Sequence, residues 1–240
     1  MNLPNTLTIS RIAAAPVVAW LPFRATWEAR LAAFVLFVLI AVTDYWDGKL
    51  ARDSGQVTDL GKMLDPLADK MLVVATFVPM FVLIGSGTSL SLLSAYTDSV
   101  VAGVAGPMNG RAPGSVVFPY VTPFGIIGLP WWILALVLGR EIAMTVFRQL
   151  AQRRGVVIAA IASAKWKTGF QLVWVGASLF WFAYATAAAM YHWMSPLWTA
   201  WAHFVGVVNL VSMTGAVGLT AWSIIQYARQ YRKLIGEMAG

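Results

Sequence analysis

Six long runs of apolar residues, separated by shorter polar segments, organise the chain. They cover residues 9–23, 31–43, 67–85, 124–138, 170–190 and 199–225. A helix needs about 20 apolar residues to cross the hydrocarbon core of a bilayer, and several runs continue into polar ends that are compatible with helix. The pattern therefore predicts an all-α integral membrane protein with six transmembrane helices.

The composition agrees with this interpretation and narrows the chemistry. Only 11% of the residues are charged, whereas soluble domains usually have about a quarter, so an ordinary water-exposed surface is excluded. Six crossings fill most of the 240 residues, which predicts a single membrane-embedded domain over residues 1–240. The chain contains no cysteine and only two histidines, which excludes thiolate nucleophiles and metal sites rich in sulfur or imidazole.

The basic residues indicate the orientation. With the N-terminus in the cytoplasm, the opposite side of the membrane receives only Arg24, Arg30 and Arg111 of the 17 basic residues. By the positive-inside rule, both termini are predicted to be cytoplasmic, in a membrane of the bacterial inner-membrane type. The net charge of +7 then reflects topology and contact with anionic membrane lipids, and no nucleic-acid partner is expected. Residues 86–123, rich in Gly, Pro, Ser and Val, are predicted to form an extracytoplasmic loop.

Six of the ten acidic residues fall within one segment, residues 44–69, that interrupts two apolar runs. Ionisable groups at membrane depth are costly and usually mark function. At about 100° per residue, Asp44 and Asp47 share one helix face. Asp65 and Asp69 share a face of the next helix by the same rule. Two helices joined by a turn near residues 53–59 would point these four carboxylates at one another, and the two acids inside that turn fit a solvated loop.

Four carboxylates at close range repel one another or take up protons unless cations lie between them. Oxygen ligands without thiolate or imidazole suit Mg²⁺ or Mn²⁺, and two such ions bridged by carboxylates are the usual arrangement for displacement at phosphorus. Gly48 and Ala51 leave room for a ligand near the backbone, and Gly61 permits a close helix contact. Arg52 would neutralise a phosphate group at the cytoplasmic end.

The spacing of these residues resembles the signature of the CDP-alcohol phosphotransferase family. The matching positions are Asp44, Asp47, Gly48, Ala51, Arg52, Gly61, Asp65 and Asp69. Residues 2–11, 64–70, 139–141, 148 and 165–168 further resemble the phosphatidylglycerophosphate synthase branch. Eight fixed residues at fixed spacings are a specific motif. The resemblance implies transfer of the phosphatidyl group from CDP-diacylglycerol to sn-glycerol 3-phosphate with release of CMP, in glycerophospholipid biosynthesis, by a homodimer.

The resemblance also implies roles for individual residues. The two divalent ions, Mg²⁺ or Mn²⁺, would be held by Asp44, Asp47, Asp65 and Asp69. Asp69 would in addition take the proton from the attacking hydroxyl. The CDP moiety would be held by Asn5, Thr8, Gly48, Arg52 and Thr58.

A set of cations is predicted to bind the phosphate of the acceptor. Arg140 and Arg148 are eight residues apart, hence near one helix face, and Lys165 opens the next apolar run. Three cations at the cytoplasmic side suit the phosphate of glycerol 3-phosphate, with Lys167 as an alternative to Lys165. Arg140 lies beside Glu141 at the end of an apolar run, which favours function over a role as a membrane anchor.

Two alternatives stay open at this point. A related enzyme of the same family would use another acceptor, such as inositol phosphate or phosphatidylglycerol. A divalent-cation transporter would also place carboxylates in the membrane, although the acids cluster at one face and no second set lies across the bilayer. Acceptor preference and cation flux distinguish these possibilities.

Overall fold

The computed structural model describes residues 3–54, 59–84, 118–156, 158, 162–191, 193 and 195–232. Within these ranges, the description is confined to the backbone at residues 3–7, 45, 47–54, 59–67, 126, 162–165 and 189. This part of the chain is almost entirely helical, as the apolar pattern predicts.

Six α-helices and one hairpin make up the described structure. The helices are α1 Leu3–Trp20, α2 Trp27–Ser54, α3 Asp59–Ile84, α4 Trp131–Arg153, α5 Ala162–Met190 and α6 Pro196–Gln230. A 3₁₀ turn, Leu21–Phe23, connects α1 to α2, and strands β1 Tyr120–Thr122 and β2 Gly125–Ile127 form an antiparallel pair. Each apolar run thus contributes to one helix.

Helices α2 and α3 are longer than their apolar runs, so all six acids of the acidic segment lie on helical backbone. Helix α2 has 28 residues, which corresponds to about 42 Å at 1.5 Å per residue and exceeds the roughly 30 Å of a hydrocarbon core. Helix α2 ends at Ser54 and α3 begins at Asp59, so Asp53 and Asp59, expected from the sequence in a solvated turn, lie on the last turn of α2 and the first turn of α3. The connection between them, residues 55–58, lies outside the described residues. The four aligned acids therefore lie toward the adjoining ends of two consecutive helices.

The helices pack through an aromatic and aliphatic interior. Helix α1 packs against α2 and α3, α5 packs against α2 and α6, and α4 packs against α6 and α3. The rings of Phe77 on α3 and Trp174 on α5 meet edge to face, with centroids 5.1 Å apart. Trp181 and Phe182 extend this buried row along α5.

Large apolar side chains also cover the outside of the bundle. Trp131 is 72% exposed and Leu197 80% exposed, and apolar surface of this extent matches a lipid environment. Among the described residues, two helical segments are long and apolar enough to cross a membrane, Trp166–Ala188 and Pro196–Gln230. The mostly helical architecture with apolar helices agrees with a membrane protein, and the number of crossings stays a prediction.

The last part of the predicted outer loop is different from the expectation. Residues 118–122 are buried, and strands β1 and β2 replace the beginning of the helix expected over 124–138, so that α4 starts only at Trp131. The strands pair with Tyr120 opposite Ile127. The boundary at residue 123 is therefore wrong, because hydropathy alone does not distinguish an apolar hairpin buried among helices from the start of a helix in lipid.

Polar contacts fix this hairpin inside the bundle. The hydroxyl of Tyr120 lies 2.7 Å from Oγ of Ser178 and accepts a hydrogen bond from Nε1 of Trp174 at 2.9 Å. Gly206 on α6 provides the space, because a Cβ at that position would lie 1.8 Å from the carbonyl oxygen of Val121. The rest of the predicted loop, residues 86–117, lies outside the described residues.

Candidate active site

Two aspartates from different helices meet at one arginine. Asp44 on α2 forms an ion pair with Arg11 on α1, and Nη1 of Arg11 lies 4.0 Å from Oδ1 of Asp69 on α3. The side chain of Arg11 is 5% exposed, whereas those of Asp44 and Asp69 are 51% and 71% exposed. A buried cation thus holds both carboxylates near one point while each remains accessible to a ligand.

Arg11 has no assigned role in the site predicted from sequence, although its position offers a signal. It is the only charged residue in the apolar run 9–23, and a charged side chain at membrane depth normally has a partner of opposite charge. Its helix packs directly against α3, which carries Asp69. A search for the partner of this lone cation would have led to the acidic segment.

The other two predicted metal ligands lie on the same two helices, each about one turn closer to the connection between α2 and α3. Asp47 follows Asp44 by three residues, Asp65 precedes Asp69 by four, and both positions are helical. Residues at these spacings share a helix face. Their side chains lie outside the described residues, so the four-carboxylate site stays a prediction. Among the side chains that are described, no group of three or more acids or histidines forms a metal site.

The predicted donor-binding residues are described to different extents. Thr8 is buried on α1, one turn before Arg11, so it lies near the face that meets the acids. The others are Asn5 in α1, Gly48 and Arg52 in α2, all described by backbone alone, and Thr58, which lies outside the described residues. Their contacts with a nucleotide remain predictions.

A second charged cluster lies where α4, α5 and α6 meet. Arg140 on α4 and Lys167 on α5 are 7% and 3% exposed, and both contact the carboxylate of Glu141. Nη1 of Arg140 donates to Oε1 and Oε2 of Glu141 at 3.2 and 3.3 Å, and Nζ of Lys167 donates to Oε1. Nε of Arg140 donates to Oγ of Ser223 on α6 at 3.2 Å. The carboxylate therefore keeps two buried cations side by side.

Arg148 joins this cluster at its exposed edge. It lies two turns beyond Arg140 on α4 and donates from Nη2 to the hydroxyl of Tyr227 at 3.1 Å. Lys165 lies in the first turn of α5, and its side chain lies outside the described residues. Among the described lysines, Lys167 is therefore the one that meets Arg140. With Arg148 and Glu141 included, the cluster carries a net charge of plus two.

Contacts at two positions along the helices show that α3 and α5 run in the same direction. Phe77 on α3 touches Trp174 on α5. Further along both helices, the backbone N–H of Phe118 donates to the carbonyl oxygen of Leu83 at 2.8 Å. The ring of Phe118 also lies 5.3 Å from that of Phe182. The residue numbers rise together on the two helices, as they do only in a parallel pair.

This common direction places the acids and the cations at one level of the bundle. Asp69 precedes Phe77 by eight residues and Lys167 precedes Trp174 by seven. At 1.5 Å per residue, these offsets are about 12 and about 10.5 Å toward the helix beginnings. The carboxylates on α2 and α3 and the cations on α4 and α5 therefore lie around the same end of the bundle.

Two N–H groups near this end have no hydrogen-bond partner among the described residues. They are Nη2 of Arg140 and Nε2 of Gln171, and both atoms are buried. Buried polar groups in proteins are almost always hydrogen-bonded, so such donors suit a ligand that brings acceptor oxygens. Gln171 has no part in the site predicted from sequence, because a glutamine in an apolar run carries no specific motif.

Comparison with known proteins yields one family and several named relatives. The model of the CDP-alcohol phosphatidyltransferase family matches residues 1–106 and 108–222. The chain is 27% identical over 239 residues to "CDP-diacylglycerol--glycerol-3-phosphate 3-phosphatidyltransferase 2" of Arabidopsis thaliana, an alignment that covers 98% of this chain and 82% of the relative.

Two bacterial relatives carry a similar name. The "CDP-diacylglycerol--glycerol-3-phosphate 3-phosphatidyltransferase" of Cereibacter sphaeroides is 34% identical over 176 residues, which is 72% of this chain and 60% of the relative. The protein of that name from Rickettsia bellii is 53% identical over 72 residues, which is 30% of this chain and 40% of the relative. These two alignments thus span less than two thirds of the relatives' own length.

Proposed function

The chain belongs to the CDP-alcohol phosphatidyltransferase family, and from this premise we propose that it transfers the phosphatidyl group of CDP-diacylglycerol to sn-glycerol 3-phosphate. The products are phosphatidylglycerophosphate and CMP, and the reaction belongs to glycerophospholipid biosynthesis. The names of the relatives support this choice of donor and acceptor. The observation that carries the acceptor is the buried cluster around Arg140, with an unpartnered N–H at the level of the predicted catalytic acids.

The cluster has the charge and the donors that a phosphate monoester requires. Arg140, Arg148 and Lys167 provide three positive charges and Glu141 removes one, so a phosphate dianion would neutralise the cluster. Nη2 of Arg140 is available to a phosphate oxygen, since the other nitrogens of this guanidinium already bind Glu141 and Ser223. Guanidinium groups bind phosphate through short charge-assisted hydrogen bonds. An uncharged polyol would leave these charges without compensation.

The acidic end suits divalent metal ions, which members of the family use. The carboxylates of Asp44 and Asp69 already converge on one cation, Arg11, and are accessible, so their oxygens fit Mg²⁺ or Mn²⁺. We infer that Asp44, Asp47, Asp65 and Asp69 hold two such ions. When bound, these ions supply neutralisation of the donor's pyrophosphate and polarisation of its phosphorus.

The protein side chains then perform the transfer. Arg140, Arg148 and Lys167 hold the phosphate of glycerol 3-phosphate and direct its free C1 hydroxyl toward Asp69. Asp69 accepts the hydroxyl proton as the oxygen attacks the lipid-side phosphorus of CDP-diacylglycerol. A new phosphorus–oxygen bond forms, the bond from that phosphorus to the CMP oxygen breaks, and CMP leaves. Arg11 keeps Asp44 and Asp69 in place.

The remaining residues position the donor and the membrane positions the protein. Asn5, Thr8, Gly48, Arg52 and Thr58 hold the CDP moiety. Six crossings with cytoplasmic termini, in a bacterial inner membrane, place the site at the cytoplasmic face, where acyl chains stay in lipid and the nucleotide stays in water. The active form is a homodimer, as the family resemblance implies.

The test is CMP release by the purified protein with CDP-diacylglycerol and Mg²⁺ or Mn²⁺. Glycerol 3-phosphate, inositol 1-phosphate, free inositol, serine and phosphatidylglycerol are compared as acceptors. We expect release with glycerol 3-phosphate, reduced about 10²- to 10⁴-fold in Asp69→Asn because the proton acceptor and a metal ligand are lost. Asp53→Asn is the matched control, since Asp53 follows Asp44 by nine residues on α2 and therefore lies on the opposite helix face, and it should keep the wild-type rate.

Other outcomes would redirect the proposal. Release with a different acceptor alone would keep the donor site and refute the assignment of the cationic cluster. Absence of release with every acceptor, combined with Mg²⁺ or Mn²⁺ flux into proteoliposomes without nucleotide, would establish a transporter instead.

A further inference from the structure

Gln171 is a buried amide without a partner on the helix that carries Lys167. It is 8% exposed, its Nε2 is buried, and no hydrogen bond to it is formed among the described residues. The next polar residue along the same face, Ser178, contrasts with it: Ser178 contacts Tyr120, Asn209 and the backbone of its own helix. Buried polar groups are almost always hydrogen-bonded. Of the four buried side-chain nitrogens without a partner among the described residues, those of Arg140 and Gln171 lie near the acceptor cluster, so the amide of Gln171 suits a ligand bound there.

The position of Gln171 relates it to the acceptor cluster. It follows Lys167 by four residues on α5, so the two side chains lie on one face, about 6 Å apart along the axis. Side chains on a helix lean toward its N-terminus, which directs the amide of Gln171 toward Lys167. Gln171 thus lies one turn deeper in the bundle than the level shared by Lys167 and Asp69.

We propose that Gln171 determines acceptor specificity by donating a hydrogen bond from Nε2 to the C2 hydroxyl of glycerol 3-phosphate. This inference rests on the proposed function. The phosphate lies at Arg140 and Lys167, and the C1 hydroxyl lies at Asp69 on the neighbouring α3. The C2 hydroxyl is on the carbon between these two ends, and the amide of Gln171 would approach it from the deeper side. Gln171 lies about 6 Å from Lys167 along the helix axis and leans toward it, so its amide reaches toward the level at which the acceptor would span Lys167 and Asp69.

The chemistry of the amide explains why it suits a hydroxyl rather than the phosphate. The cationic cluster already carries the two positive charges that compensate a phosphate dianion. A neutral amide adds no charge, but its buried N–H pairs with a neutral hydroxyl. A site built to bind a hydroxyl rejects an analogue without it, because the buried partner group is then left unpaired.

The experiment compares two acceptors in two proteins. The acceptors are glycerol 3-phosphate and 3-hydroxypropyl phosphate, which has the same phosphate and the same terminal hydroxyl but no C2 hydroxyl. The variant is Gln171→Met, which keeps the length of the side chain and removes the amide. We expect wild type to prefer glycerol 3-phosphate by about 10- to 100-fold in kcat/KM, and Gln171→Met to prefer it by less than about threefold.

Ser178→Ala is the matched control for loss of a polar group on the same helix face. It should lower the unfolding temperature and leave the acceptor preference unchanged. The KM for CDP-diacylglycerol and the unfolding temperature of Gln171→Met should stay at wild-type values, which separates a binding role from a structural one.

The possible failures are distinguishable. Equal loss toward both acceptors in Gln171→Met, or no preference in wild type, would overturn the inference while leaving the proposed function intact. A raised KM for CDP-diacylglycerol in Gln171→Met would overturn it in favour of a donor contact. No transfer to glycerol 3-phosphate by wild type would refute the proposed function itself.

Discussion

Two polar clusters lie inside this helical bundle, and they are built on opposite rules. At one end, the cluster around Arg140, Lys167 and Glu141 carries an excess of positive charge, and an N–H of Arg140 has no partner among the described residues. Deeper in the bundle, the hairpin cluster of Tyr120, Trp174, Ser178 and Asn209 is neutral, and each side chain is hydrogen-bonded.

We interpret this difference in hydrogen bonding and charge as one between groups that stabilise the fold and groups that we propose bind a substrate. Satisfied neutral hydrogen bonds specify how elements pack and need nothing further. The excess positive charge around Arg140, whose Nη2 has no partner among the described residues, costs stability in the free protein, and the proposed acceptor would bring the counter-charge. Changes in the hairpin cluster should therefore affect stability, and changes in the cationic cluster should affect acceptor use.

Gly206→Ala should produce the largest effect, and on stability. Its Cβ would lie 1.8 Å from the carbonyl oxygen of Val121, so the hairpin or α6 must shift, at a cost of about 3 kcal/mol. Thermal unfolding in detergent measures the loss. Gly218→Ala on the same helix is the control, because no atom lies within 4 Å of its Cβ. Equal unfolding temperatures for the two variants would contradict the close packing of the hairpin against Gly206.

Arg140→Met should act mainly on the acceptor. The substitution removes the guanidinium that we propose binds the acceptor phosphate and releases Glu141, so kcat/KM for glycerol 3-phosphate should fall about 30-fold, as for loss of a charged hydrogen bond. The KM for CDP-diacylglycerol should be unchanged in the same CMP-release assay. Arg153→Met, at the last residue of α4, is the comparison variant that should keep acceptor use. An unchanged KM for glycerol 3-phosphate in Arg140→Met would show that this cluster does not bind the acceptor.

Tyr120→Phe should have the smallest effect. Loss of the hydroxyl leaves Nε1 of Trp174 without its acceptor and removes one contact of Ser178, which should cost about 1 kcal/mol of stability. Thermal unfolding and acceptor KM are measured together. A change in acceptor KM larger than the change in stability explains would show that the two clusters are coupled.

Local pattern was sufficient for the helices and for the end of the bundle that carries the acids. The apolar runs predicted the helices because helix formation depends on neighbouring residues, and the spacing of Asp44 and Asp69 within their motif marked those positions. Arg140 was found in the same way, from a cation beside an acid in an apolar run. These features depend on residues within a few turns of one another.

The hairpin and the partners of the buried groups depended on contacts between residues far apart in sequence. Arg11 meets Asp44 across 33 positions, and Tyr120 meets Ser178 across 58. Residues 118–127 are mostly apolar, so hydropathy did not separate the hairpin from the helix that follows. Pro123 and Gly125 are residues typical of turns, and the space beside Gly206 accommodates the hairpin.

The sequence by itself determined that this chain is a helical membrane protein with an acidic motif suited to metal-assisted phosphoryl chemistry. Periodicity and spacing are local properties, so they can be identified without knowledge of the fold. The tertiary structure decided that Arg11 holds Asp44 and Asp69 and that Lys167 joins Arg140 on Glu141. It also decided that Nε2 of Gln171 has no partner in the described part of the chain. Those facts arise from which helix faces pack together, because burial and hydrogen-bond partners exist only between elements.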